Sequence, residues 1–144
     1  MSQAPYDEAA LQRGLAFARA VAVLFLLVGL LDAASVLQTL LIAIQYPSVM
    51  CGEAIFAALT VAQLFLGSRI YDASIVATVL GALVAAFATL WSVGWFVFLL
   101  VGGAFAILPV FVAGGSLFCS VAALVFIPVA RQVSHQRSLL LEGL

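Results

Sequence analysis

Long runs of apolar positions fill this chain, and the few polar positions between them mark where its elements begin and end. The first run covers about 15–44, broken by Arg19, Asp32 and a few small polar residues, and it closes at Gln45-Tyr46-Pro47-Ser48. Proline suits the first turn of a helix, so a second span is predicted over 47–67, ended by Gly67-Ser68-Arg69. No charged residue falls between Asp72 and Arg131. A helix crosses the hydrocarbon core in about 20 residues at 1.5 Å each, so that stretch must hold two. They are placed at 72–100 and 104–131, turning at Gly102-Gly103, with Pro109 in the first turns of the fourth helix.

Finer signals fill in this frame. Trp91, Trp95, Phe96 and Phe98 read as an aromatic belt at the membrane interface. A re-entrant segment over 96–108 is the alternative to the hairpin, and its backbone would need burial in protein or a wet cavity. Asp7 and Glu8 after Pro5 read as a helix start, and Asp72 before Ala73 as the N-cap of helix three. Short polar tails are expected at 1–12 and 132–144.

Composition turns these spans into a fold class. Hydrophobic residues make up 67% of the 144 and charged ones 8%, with a mean hydropathy of +1.32. Soluble domains are about 45–50% apolar and about 25% charged, and a chain this small buries too little surface to hide such an excess. The expectation is an all-α integral membrane protein, one four-helix transmembrane domain in an up-down-up-down bundle. Arg13, Arg19, Arg69, Arg131 and Arg137 all fall on one side of that topology, while the other two connections carry no basic residue. The positive-inside rule makes that side cytoplasmic, so both termini are cytoplasmic, and a bacterial inner membrane is the expected location. A signal-peptide cut near Ala33-Ala34 is not favoured, because Asp32 sits at the cleavage motif and the apolar run continues past it.

Charge and residue inventory then remove functions. A net charge of −1 leaves no cationic face for a phosphate backbone, so no nucleic-acid partner is expected. The single histidine, His135, lies in the C-terminal tail, and Cys51 and Cys119 are far apart in sequence. No metal cluster, catalytic triad or phosphate-binding glycine loop can be assembled from this inventory. The chain is therefore expected to be no enzyme and to need no cofactor.

Two kinds of residue remain as candidates. Ala73, Ala77, Gly81 and Ala85 form a ladder of small side chains on helix three, with Ala54, Ala58 and Ala62 on helix two and Gly115, Cys119 and Ala123 on helix four. Such stripes let helices approach closely in lipid, within one chain or between copies. Asp32 and Glu53 are acids inside spans, where a carboxylate at the bilayer centre costs about 2.5–3.5 kcal/mol and no Lys or Arg is at hand. A tight first hairpin sets Asp32 level with Thr60 and Glu53 level with Thr39, with Gln63 on the same side of helix two. These groups can join helices one and two by buried hydrogen bonds, hold a proton or cation, or meet a cation from a partner protein.

The functional expectation is a helical subunit, scaffold or accessory component of a membrane complex, acting by lateral packing in the bilayer as a homo-oligomer or with other membrane subunits. The alternative is an oligomeric proton or cation channel or transporter using Asp32 and Glu53.

Overall fold

The computed structural model describes residues 6–103 and 107–142. Its elements are α1 (Glu8–Gln45), a short 3-10 turn (Pro47–Val49), α2 (Met50–Ile70), α3 (Ile75–Val101) and α4 (Leu108–Glu142). All four helices are long and apolar enough to cross a membrane.

Local chemistry accounts for the boundaries. The Asp7 side chain accepts from the Ala10 N–H at 3.0 Å and caps α1, whose first residue Glu8 favours the positive end of the helix dipole. Pro47 disfavours helical backbone at the residue before it, and the chain leaves α1 at Tyr46 and re-enters helix through the 3-10 turn. Ser74, rather than Asp72, caps α3 by accepting from the Ala77 N–H at 3.3 Å. The shift has a backbone cause: Ala73 stands at φ 57, in the left-handed region, so α3 cannot begin before it. Gly103 turns the chain out of α3 at φ 77, a conformation that costs glycine little. α3 runs unbroken through 96–101 and α4 begins at Leu108; the expected turn between them falls partly on 104–106, which lie outside the described residues.

The helices pack as an antiparallel four-helix bundle in which each sequential pair is adjacent and α4 closes on α1. Leu64 lies over Gly29 and Phe25 over Gly67, which sets the register of α1 and α2 about Tyr46. Phe17 meets Phe126 edge-on at 5.4 Å, and Val28 packs over Gly115, joining α1 to α4. Ser120 donates to the Ala82 carbonyl at 3.0 Å between α4 and α3. Trp95 of α3 lies over Gly52 of α2.

Two apolar clusters divide the core along the bundle axis. One, around Phe25, Leu66, Ile70, Cys119 and Phe126, fills the half nearer the arginines. The other, around Ala43, Val49, Phe56, Trp95, Leu99 and Val112, fills the half nearer the α1–α2 and α3–α4 hairpins. All five Arg are exposed and lie towards the first end, where Arg19 stacks over Tyr71 at 5.4 Å.

Within the stretches expected as polar tails, the described residues 8–12 and 132–142 are helical. α1 begins at Glu8 and α4 continues through Pro128 to Glu142. The reason is packing: Val133 covers Gly14, and the Gln136 side chain accepts from the Asp7 N–H at 3.1 Å. The α1–α4 pair thus projects past the α2–α3 turn as a two-helix post. At 1.5 Å per residue the 38 residues of α1 reach about 57 Å, against about 31 Å for the 21 of α2.

Candidate functional site

Asp32 and Glu53 both point into the bundle. They are 0% and 4% exposed, and none of their four carboxyl oxygens has a hydrogen-bond partner. Burial without a partner is costly for any polar group and most costly for a charge. The α1–α2 register places Asp32 beside Thr60 and within electrostatic reach of Glu53. Glu53 in turn faces Thr39 and the indole of Trp95.

The two hydrogen bonds expected across the α1–α2 seam are not formed. Thr60 Oγ1 donates instead to the Phe56 carbonyl at 3.0 Å, and Thr39 Oγ1 to the Ser35 carbonyl at 2.9 Å. Back-bonding of this kind is the local alternative always open to a threonine in a helix. It spends each hydroxyl proton within its own helix. Such a hydroxyl can receive a proton from a neutral carboxyl, but it does not solvate a carboxylate.

Gln63 serves a different contact. Its Nε2 donates to Ser116 Oγ on α4 at 3.1 Å, while its Oε1 stays unpartnered. Helices three and four also present Thr78, Ser92, Ser116 and Ser120 to the interior. Trp95 is a further correction. Its place near the end of a span suits an interface anchor, yet it is 9% exposed and wedged against Phe56 at 6.0 Å and Phe98 at 5.5 Å. The missed signal was spacing: Ser116 and Ser120, and Ser92 and Trp95, recur at helical intervals and share a face.

The small-residue ladder is also interior. Ala73, Ala77, Gly81 and Ala85 are all buried, and Gly81 receives Ile70 and the Phe25 ring. On α2 the stripe turns the other way, with Ala54 and Ala58 exposed. Arg69 and the Asp72 backbone take separate partners. The Arg69 guanidinium lies over Phe65 at 5.5 Å, and the Asp72 carbonyl accepts from Arg137 at 2.9 Å.

Among the described residues no group of three or more His, Cys, Asp or Glu could hold a metal ion. The Trp95 indole N–H near Glu53 is likewise without a hydrogen-bond partner. The arrangement is thus two buried carboxyl groups without hydrogen-bond partners in a largely apolar surround.

Comparison with protein-family models, with curated proteins and with solved structures finds no match for the chain. Its helices carry the classification. The chain is a small all-helical polytopic membrane protein embedded in the lipid bilayer.

Proposed function

We propose that the protein is a helical subunit or accessory component of a membrane complex, working by lateral contacts rather than by catalysis. The observation that carries this reading is a groove on the outer face of α3. Phe87, Leu90, Trp91, Trp95 and Phe98 wall it, Gly94 forms its floor, and it encloses about 350 Å³. A side chain added at Gly94 would meet nothing within 4 Å, so the groove is open to a neighbour. Lipid gives no hydrophobic drive between helices, and close approach over glycine flanked by large side chains is how helices associate there. The exposed Ala54 and Ala58 of α2 offer a second close approach. The occupant that fits is a transmembrane helix, from another copy or another subunit.

Both termini are assigned to the cytoplasm, because every Arg lies towards the end that carries them, and a bacterial plasma membrane is the proposed location. Conduction through a ring of copies, the alternative reading, draws less support. Asp32 and Glu53 face the interior of one chain, away from any surface that a second copy could share.

The test fills the groove. Gly94→Leu should leave helicity and monomer folding intact while removing companions from the mildly solubilised protein or lowering its native mass. A wild-type protein that runs as a bare monomer, or a variant with unchanged companions, would refute the proposal. Proton flux in liposomes that is abolished by Asp32→Asn would favour the alternative.

A further inference from the structure

The turn between α2 and α3 gathers charge from three helices. Arg69 stands in the last turn of α2, Arg19 of α1 lies over the Tyr71 ring at 5.4 Å, and Arg137 of α4 donates to the Asp72 carbonyl at 2.9 Å. Asp72 is the one carboxylate on this turn, so three guanidinium groups are set against a single negative charge. The positive-inside rule accounts for the side on which these arginines lie, but not for their meeting on one turn. Beside the turn a groove of about 260 Å³ runs between α2 and α3. Arg69 and Ser74 stand at its outer end, and Phe65, Leu66, Val76 and Leu80 line the rest. Phe65 is one helical turn below Arg69, and Leu80 is about 9 Å below Ser74 at 1.5 Å per residue. The groove thus passes from polar to apolar in the direction in which a lipid passes from headgroup to chain. Its polar end has donors to spare. The Arg69 guanidinium lies over the Phe65 ring at 5.5 Å and, among the described residues, pairs with no carboxylate, so the N–H groups around its edge are free. The Ser74 hydroxyl accepts from the Ala77 N–H and keeps its own proton to donate.

We propose that this groove seats an anionic phospholipid from the leaflet at the arginine-bearing end of the bundle. The phosphate takes the N–H groups of Arg69 and the hydroxyl of Ser74, and an acyl chain lies along Phe65, Val76 and Leu80. A guanidinium suits this role because its planar fork can give two parallel hydrogen bonds to one phosphate. A headgroup of net negative charge is selected over a zwitterionic one, because the excess of guanidinium at the turn repels the ammonium of the latter. The seat lies at the opposite end of α3 from Gly94, so it does not depend on whether a partner helix binds there. Nor does it depend on which side of the membrane the arginines face.

Native mass spectrometry of the full chain, released from mild detergent with phosphatidylglycerol or phosphatidylcholine added, tests the seat. The wild type should retain phosphatidylglycerol and shed phosphatidylcholine. Arg69→Gln should weaken the retention of phosphatidylglycerol about fivefold, as expected for one arginine lost beside an anionic lipid. Arg131→Gln removes the same charge from the same end but outside the groove, and should change retention far less. Val76→Trp fills the groove, leaves every charge in place, and should also weaken retention. Glycerol phosphate should not displace the lipid, since it brings no chain to the groove. Equal retention of the two lipids would overturn the proposal, as would a loss with Arg131→Gln that matches Arg69→Gln, full retention by Val76→Trp, or displacement by glycerol phosphate.

Discussion

Adding one methyl group at each of two glycines should move stability in different directions. Gly52 lies on α2 beneath the Trp95 ring, and an added Cβ would run into the indole's six-membered edge. That ring has little room to retreat, being held between Phe56 at 6.0 Å and Phe98, stacked at 5.5 Å. Forcing an extra carbon into such a site costs about 1–3 kcal/mol. Replacing glycine by alanine inside a helix returns about 1 kcal/mol of backbone propensity. Gly52→Ala should therefore range from neutral to about 2 kcal/mol less stable. Gly94 is the control. It sits on α3 with nothing within 4 Å of an added Cβ, so Gly94→Ala should keep the propensity term alone and gain about 1 kcal/mol. Reversible unfolding in mixed micelles, followed by tryptophan fluorescence, measures both. Equal shifts of the same sign would show that the α2–α3 seam is not held by this wedge, and the placement of Glu53 beside Trp95 would lose its basis.

Three further outcomes are expected. Ser116→Ala should destabilise the bundle by about 1–3 kcal/mol, because it strands the Gln63 amide, and adding Gln63→Leu should recover most of the loss when the two are unfolded side by side. Ser74→Ala should cost about 1 kcal/mol by removing the α3 cap, whereas Asp72→Ala should change stability far less; similar losses in thermal unfolding would reassign the cap. A membrane-impermeant maleimide applied to intact cells should label Cys51, which is exposed in the first turn of α2, and leave the buried Cys119 untouched. Labelling only after the cells are opened would reverse the assigned orientation.

The spans were legible because length and apolarity report on the bilayer, and they do so whichever way a helix is rotated. Rotation itself is written less clearly. In a soluble bundle the core is the apolar face, but here Leu27, Leu37, Leu41 and Val61 face outward and are as apolar as anything inside. The interior of α1 is marked instead by its small and polar residues, Gly14, Ala18, Gly29, Asp32, Ser35 and Thr39. That sign sets Asp32 level with Thr60 and Glu53 level with Thr39. It did not foretell their hydrogen bonds, because a threonine hydroxyl finds an acceptor in its own helix before it reaches across a seam. Trp95 was misplaced for a related reason. An indole near a span's end suits the interface, and its burial depends on Gly52, which is remote in sequence and leaves the space. The polar C-terminal stretch looked like a tail because its anchoring contacts, Val133 on Gly14 and Gln136 on the Asp7 N–H, lie on the other end of the chain.

The unequal lengths of the helices give the molecule a mechanical asymmetry. The 21 residues of α2 match a hydrocarbon core of roughly 30 Å, while α1 and α4 overshoot it as the paired post. A bilayer that thins or thickens therefore loads the short helix, since a mismatched span tilts or drags lipid at a cost of fractions of a kcal/mol per Å. The post, standing partly in water, carries little of that load. Any displacement of α1 against α2 would act on the seam where Asp32 lies beside Thr60 and Glu53 beside Thr39. Sliding by half a helical turn, about 2.7 Å, would set each carboxyl against the apolar side chains between those hydroxyls.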